Sequence, residues 1–121
     1  MRHYDKNNVF ARILRREIPA SILYEDEYAL AFHDVHPHAP LHVLIIPKGE
    51  FASFSDFMAL ATPDLIAGLM RAIDTVIDLL DLRKNGFRLI INQGSDGGQE
   101  VPHYHVHLLG GGPLGPLTSK K

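Results

Sequence analysis

Residues 102–110 read PHYHVHLLG and run into the glycines at 111 and 112. His103, His105 and His107 occupy every second position. Because side chains alternate across a β-strand, this spacing predicts a strand that presents three imidazole rings on one face. Neighbouring rings on such a strand are roughly 6.5–7 Å apart, and the outer pair is roughly 13 Å apart. The stretch therefore predicts both a closing strand of the fold and a concentration of titratable groups on it.

The segments before the histidines predict four further strands. The run LHVLIIP is apolar almost throughout, which is typical of a strand buried on both faces near the centre of a sheet. The others alternate or are rich in β-branched and aromatic residues, and turn residues separate them. The four predicted strands are 22–24, 28–34, 41–47 and 87–92.

Two helices are predicted. Residues 8–16 carry apolar side chains at spacings of three and four, and Pro19 ends this short helix. Thr62 can cap a second helix, and Pro63 suits its first position. The apolar face that follows predicts a long helix to about residue 83.

A glycine-rich loop, GSDGG at 94–98, joins the fourth strand to the histidine strand. Asn92 closes the fourth strand, and Gln99, Glu100 and Val101 open the next one. A hairpin would place these residues beside the three histidines. Backbone N–H groups in such a turn can bind phosphate, although taken alone the sequence is typical of an ordinary hairpin turn.

These elements predict an α+β fold: one domain over residues 1–121, with a mostly antiparallel five-stranded sheet, one long helix and one short helix. The chain is 45% hydrophobic and 21% charged, and its formal charge of -2 gives no footprint for nucleic acid. The absence of cysteine excludes disulfides and thiolate metal sites. The polar N-terminal residues and the lack of a long apolar run predict a cytoplasmic protein that does not enter a membrane.

Three interpretations of the histidines compete. A metal site is one, because histidine is a common zinc ligand, but the outer two rings of a regular strand can hardly meet on one ion. A solvated sheet face is the second, although histidine is not a favoured strand residue. The third is nucleophilic catalysis at phosphorus, for which a neutral imidazole is suited near pH 7.

In the catalytic interpretation, one ring nitrogen of the nucleophile must stay bare. A hydrogen bond from the other nitrogen to a backbone carbonyl would fix that tautomer. Flanking histidines would donate to phosphate oxygens and would disfavour protonation of the nucleophile. His105 has a ring on each side, so it is the expected nucleophile.

The stretch HYHVHLL matches the signature of the histidine triad (HIT) superfamily of nucleotide hydrolases and transferases. More of the chain resembles the Hint branch, the purine nucleoside phosphoramidases. The matching stretches are VFARILRREIPASILYEDEYALAFHDVHPHAPLHVLIIPK, GFRLIINQGSDGGQEVPHYHVHLLGG and PLGP. Residues 49–85 match mainly by pattern.

This resemblance implies a homodimer and a purine nucleotide substrate. No cofactor and no metal are expected. The P–N bond of a nucleoside 5′-phosphoramidate would be split, with AMP or GMP as product. His105 would attack the phosphorus and form a nucleotidyl intermediate, His103 and His42 would form a supporting network, and His107 would contact the phosphate. Asn92 and Gln99 match polar positions on the phosphate side.

The nucleoside side is implied by the same resemblance. Asp34 would accept from the ribose hydroxyls, or it could simply cap the turn that follows its strand. An apolar set would line the base pocket, although Phe10 and Ile13 could equally be ordinary core. The residues expected to contact substrate are Asn92, Gln99, Val101, Asp34, Phe32, His33, Val35, Phe10, Ile13 and Leu44.

Some positions depart from the family pattern. Glu100 stands where many eukaryotic relatives have a serine, although bacterial relatives often carry Glu there. Pro102 replaces a more usual aromatic residue, and Gly112 replaces a common arginine. The C-terminal tail lacks the aromatic residue of some relatives. Two other functions remain open: hydrolysis of dinucleoside polyphosphates, as in the Fhit-like branch, and nucleotide binding as a scaffold with incidental activity.

Overall fold

A computed structural model describes residues 3–119, and the ends of the predicted domain, residues 1–2 and 120–121, lie outside the described part. Within that part, five strands form one sheet in which every neighbouring pair is antiparallel. The strands are β1 (Ile22–Glu25), β2 (Ala29–His33), β3 (Leu41–Pro47), β4 (Phe87–Ile91) and β5 (Val106–Gly110). The order β1-β2-β3-β5-β4 puts β3 in the middle, which confirms the prediction from its apolar run.

The helices among the described residues are α1 (Val9–Leu14), α2 (Phe54–Leu60), α3 (Pro63–Leu79) and a single turn, α4 (Gly94–Gly97). Asn8 caps α1 by accepting from the Ala11 N–H at 2.8 Å. Thr62 caps α3 by accepting from the Leu65 N–H at 3.2 Å, and Pro63 stands at its start, as the sequence predicted. These caps satisfy N–H groups that the helices themselves cannot.

The two faces of the sheet carry different helices. α3 and α2 cover one face, where the inward side chains of β3 at Val43 and Ile45 are fully buried. α1 covers the opposite face, where Leu44 and Ile46 pack against Phe10. Because side chains alternate along β3, His42 shares the α1 face with Leu44. His107 of β5 pairs with Leu44, so its ring lies on the same face, 2.9 Å from the His42 ring. The alternation of side chains thus places His42 and His107 on the face of the sheet that α1 covers.

The structure corrects several predicted boundaries. The regular strand begins only at Val106, because its pairing with β3 and β4 ends at that residue, so His103 and His105 precede the strand. The long helix ends at Leu79 rather than near 83, since Asp81 takes a positive φ of 55° and turns the chain. The short helix ends at Leu14, before the positive φ of Arg16.

Two elements were wrong or missing in the sequence prediction. The loop at 94–98 is a helical turn closed by Gly98 at φ 76°, so β4 and β5 are neighbours joined by a long connection rather than by a tight hairpin. α2 was not predicted at all. Among the described residues, no helix has the length and apolar character needed to cross a bilayer.

Candidate active site

A cavity of about 460 Å³ opens where α1, the end of β2, β3 and the segment before β5 meet. This volume is in the range of small-molecule sites. One end of its wall carries imidazole rings and the other carries aliphatic and aromatic side chains. Its lining comprises Val9, Phe10, Ile13, Ile18, Pro19, Ala20, Phe32, His33, Asp34, Val35, His36, His38, His42, Leu44, Asn92, Gly98, Glu100, Val101, His105 and His107.

His105 is 7% exposed and lines this cavity. Its Nδ1 lies 2.6 Å from the carbonyl oxygen of His103, and a carbonyl can only accept, so Nδ1 carries the proton. In the neutral ring Nε2 is then bare. Burial lowers the pKa of His105 below its ordinary value of 6.5, which favours that neutral ring at pH 7. The ring edge meets Phe10 at a centroid distance of 5.0 Å, which fixes its orientation.

In His42 and His107 the hydrogen bonds likewise determine which ring nitrogen carries the proton. We call this assignment the proton order of the rings. The backbone N–H of His38 donates to Nδ1 of His42 at 3.0 Å, so a neutral His42 carries its proton on Nε2. That Nε2–H faces Nδ1 of His107 at 2.9 Å, so Nδ1 of His107 accepts. His107 therefore carries its proton on Nε2, where it can donate to a ligand in the cavity.

Burial keeps both rings of this pair neutral. Burial first, and the neighbouring His105 and His42 rings second, lower the pKa of His107 to about 4. Burial also lowers the pKa of His42, against the opposing pull of the Asp34 carboxylate. At pH 7 His105 thus presents a bare nitrogen to the cavity and His107 presents an N–H donor.

His103 does not line the cavity. It is completely buried, and its backbone carbonyl rather than its ring faces His105. The expectation that one strand carries all three rings is wrong, because β5 begins only at Val106. The rings of His103 and His105 still lie on the α1 side, where both contact Phe10. The placement agrees with a supporting role for His103 and excludes contact with a ligand in the cavity.

Asp34 follows β2 at the rim of the cavity and does two things at once. Its Oδ1 accepts from the backbone N–H of His36 at 2.9 Å, which is the turn-capping bond considered from the sequence. Its Oδ2 lies 3.4 Å from Nε2 of His42, and the side chain is 18% exposed. Since a carboxylate has about four lone-pair sites, Asp34 keeps capacity for a ligand hydroxyl.

The apolar end of the cavity is built from core residues. Phe10 and Ile13 of α1 pack with Phe32 and Leu44 in one cluster, and all four also line the cavity. The core and the ligand-contact interpretations of Phe10 and Ile13 are therefore compatible. His33 and Val35 border the same end, and Val35 is 83% exposed.

The loop before β5 brings some of its predicted residues to the cavity. Asn92, Glu100 and Val101 line it. Gln99 does not: its amide donates to the carbonyls of Ala52 at 2.7 Å and Val101 at 3.0 Å. The structure therefore gives Gln99 a bracing position in the loop rather than a place on the cavity wall.

The geometry above has close parallels among known proteins. A family model described as the HIT domain matches residues 15–114. This chain belongs to the HIT domain family. A HIT-like protein of Azospirillum brasilense is 51% identical over 117 residues, covering 97% of this chain and 96% of the relative. The purine nucleoside phosphoramidase of Escherichia coli K12 is 39% identical over 116 residues, covering 96% and 97%.

Solved structures agree with this assignment. A histidine triad protein from Clostridium difficile superposes with a TM-score of 0.84 at 35% identity, covering 96% of this chain and 100% of that chain. A HIT family hydrolase from Clostridium thermocellum gives a TM-score of 0.81 at 40% identity, covering 93% and 96%. The predicted HIT-like fold is thereby confirmed.

One cluster in this HIT domain has the residue types of a metal site. Ligand atoms of Asp34, His42 and His107 all lie within 4.8 Å of one another. However, Nε2 of His42 carries the proton, because its Nδ1 accepts from the His38 N–H. A metal at Nε2 would move that proton to Nδ1 and break the backbone bond. The geometry gives a physical reason against a metal here, and the metal-free site stays a prediction.

Sequence reasoning missed three residues that line the site or contact its histidines. His36 and His38 line the cavity, and the backbone of His38 sets the proton order of His42. The four-residue spacing from His38 to His42 was a usable signal. Tyr4 contacts His103 from 99 positions away, and no local pattern could have indicated that contact.

Proposed function

We propose that this protein is a hydrolase that cleaves the P–N bond of purine nucleoside 5′-phosphoramidates through a nucleotidyl intermediate on His105. The observation that carries the proposal is the hydrogen bond from Nδ1 of His105 to a backbone carbonyl, which leaves Nε2 bare beside a cavity of nucleotide size. The relative named purine nucleoside phosphoramidase supports the choice of reaction.

The chemistry follows from the proton order of the rings. In the first step Nε2 of His105 bonds to the α-phosphorus, the P–N bond breaks, and the leaving nitrogen takes up a proton from solvent and departs as the amine. The resulting ring is cationic, and the His103 carbonyl that accepts from Nδ1 stabilises it. In the second step water attacks phosphorus, the Nε2–P bond breaks, and AMP or GMP is released. One hard displacement becomes two easier ones.

His107 is the phosphate contact in this scheme. Its Nε2–H is the free donor at the end of the His38–His42–His107 series of hydrogen bonds. A donor held in this way can stabilise negative charge that develops on the phosphoryl oxygens. Nδ1 of this neutral ring already accepts from His42, so His107 has no bare nitrogen that could take the proton needed by the leaving group.

The nucleoside would occupy the apolar end. Phe10, Ile13, Phe32 and Leu44 offer a flat, buried surface to a purine, and Asp34 at the rim would accept from the ribose hydroxyls. Asn92 and Val101 border the phosphate end. Gln99 has no substrate contact in this scheme, because its amide group donates to backbone carbonyls within the loop.

Turnover of adenosine 5′-phosphoramidate by the wild type and by His105→Ala tests the proposal. We expect the variant to lose at least about a thousandfold in kcat, as is typical when a nucleophile that works as part of a unit is removed. His3→Ala is a matched control, because His3 is exposed and outside the cavity, and should be unchanged. Faster hydrolysis of diadenosine polyphosphate would favour the other branch, and tight nucleotide binding without turnover would favour a scaffold.

We also propose a homodimer, supported by the edge of the sheet at β4. Phe87, Leu89 and Ile91 share one face of this strand and are 42%, 38% and 45% exposed, because α3 covers β1, β2 and β3 instead. An unpaired apolar edge strand invites pairing, and a twofold axis would let β4 pair with its own copy. Leu89→Lys should convert a dimer to a monomer in sedimentation equilibrium; a wild type that is already monomeric would end this proposal. A cytoplasmic location stays a prediction.

A further inference from the structure

A tyrosine near the start of the chain reaches the buried member of the histidine group. The hydroxyl of Tyr4 lies 2.7 Å from Nδ1 of His103, and the two rings meet edge to face at a centroid distance of 5.7 Å. Neither residue lines the cavity. The contact therefore can affect the site only through His103, and not by touching a ligand in the cavity.

The direction of this hydrogen bond can be inferred from the other nitrogen of His103. Nε2 is buried and finds no partner of regular geometry among the described residues, and the backbone group that acts on the ring is the carbonyl of Pro47. A bare Nε2 would point its lone pair at that carbonyl, which is unfavourable, whereas an Nε2–H is attracted to it. Nδ1 is then bare, so the Tyr4 hydroxyl donates. Burial raises the pKa of Tyr4 above 10, which keeps that proton in place at neutral pH.

The same residue, His103, supplies the carbonyl that orients the proposed nucleophile. Because β5 begins only at Val106, no strand pairing holds this carbonyl. Neighbouring backbone bonds hold the chain, with the His103 N–H on Val101 and the Tyr104 N–H on Phe51, each at 2.8 Å. The Tyr4 hydroxyl adds the bond that fixes the ring of His103, and with it the rotation of the peptide that faces His105.

We propose that Tyr4 is a positioning residue for the reaction: by donating to Nδ1 of His103 it fixes the tautomer of that ring and the carbonyl that aims His105. This inference rests on the proposed function, but its structural half does not need activity. The rings of Tyr4 and Phe10 pack edge to face against the His103 ring, and the nearby His105 ring disfavours a charge on it.

Kinetics of Tyr4→Phe test the functional half. Loss of one hydrogen bond that orients the nucleophile should lower kcat for adenosine 5′-phosphoramidate about tenfold, and KM should stay within about twofold, because Tyr4 does not touch the cavity. Tyr24→Phe is the matched control: its hydroxyl donates to Asp26 at 2.8 Å, away from the cavity, and kcat should not change. An unchanged kcat in Tyr4→Phe, or equal losses in both variants, would overturn the proposal.

Nitrogen-15 NMR of the histidine rings tests the structural half in the unliganded protein. We expect His103 in the wild type to show a bare Nδ1 and a protonated Nε2, and Tyr4→Phe to show a mixture of tautomers at His103. A protonated Nδ1 in the wild type, or an identical tautomer in both proteins, would overturn the proposal. A wild type without phosphoramidase activity would instead defeat the proposed function, and the ring spectra would still decide whether Tyr4 sets the tautomer.

Discussion

Nδ1 of His105 lies 2.6 Å from the carbonyl oxygen of His103, two residues earlier in the chain. This bond determines which nitrogen of His105 faces the cavity without a proton, and it uses a backbone group, which cannot titrate. Burial of His105 acts in the same direction, because it disfavours the cationic ring. The proposed nucleophile is thus ready at neutral pH without a general base.

The pH dependence of turnover should reflect this burial. Protonation of Nε2 removes the attacking lone pair, so kcat/KM should fall on the acid side with a midpoint below 6.5, the ordinary pKa of histidine. The carboxylate of Glu100 raises the pKa of His105, so Glu100→Gln should move the midpoint to still lower pH. Initial rates between pH 4.5 and 8 check both statements. A midpoint above 6.5, or a shift toward higher pH in the variant, would contradict them.

Asp34 should discriminate substrates by their ribose hydroxyls. Asp34→Asn keeps an oxygen for the His36 N–H but loses the charge, so KM for a ribonucleoside phosphoramidate should rise about 10- to 100-fold. A 2′,3′-dideoxy substrate should bind the wild type and the variant almost equally. Steady-state kinetics with both substrates measure the difference. Equal losses for the two would show that Asp34 acts through His42 instead.

The sequence predicted those features of the fold that depend on residues close together in the chain, and missed those that depend on distant segments. The cap of α3 and the central position of β3 follow from short patterns, and the structure confirms both predictions. The start of β5 depends on where two neighbouring strands end, so the sequence placed it too early. The short helix α2 buries Phe57 in the core beneath the sheet. This is a tertiary contact, which the local pattern of its seven residues does not predict.

The candidate site was predictable to the same extent. The family signature predicted that His42, His105 and His107 act together, and in the structure all three line one cavity. The proton order of these rings could not be predicted, because it depends on the backbone groups of His38 and His103. Tyr4 and the bracing of Gln99 arise from contacts between distant segments, for which one sequence offers no signal.

Chelators should leave the activity unchanged. The Asp34–His42–His107 cluster would have to break the His38 bond to ligate an ion through Nε2 of His42, and the proposed chemistry uses no metal. We expect the same kcat/KM before and after dialysis against EDTA. Loss of activity that added zinc restores would require a different mechanism.

Acid should destabilise the protein before its carboxylates titrate. The pKa of buried His103 lies at about 4 in the folded protein, against an ordinary value of 6.5, so the unfolded chain binds more protons between these values. The free energy of unfolding therefore falls as the pH drops from 6.5 toward 4, by about 3 kcal/mol for this group in full. Urea denaturation at pH 7.5, 6 and 5 checks the slope. Equal free energies at these three pH values would show that His103 is not held neutral by the fold.

The proposed mechanism requires a covalent bond between phosphorus and Nε2 of His105. Rapid acid-free quenching during turnover of a purine nucleoside phosphoramidate, followed by peptide mapping with mass spectrometry, measures it directly. We predict a nucleoside monophosphate adduct on His105 that disappears when substrate is exhausted and is absent in His105→Ala. An adduct on another side chain, or turnover that proceeds undiminished in His105→Ala, would contradict the account.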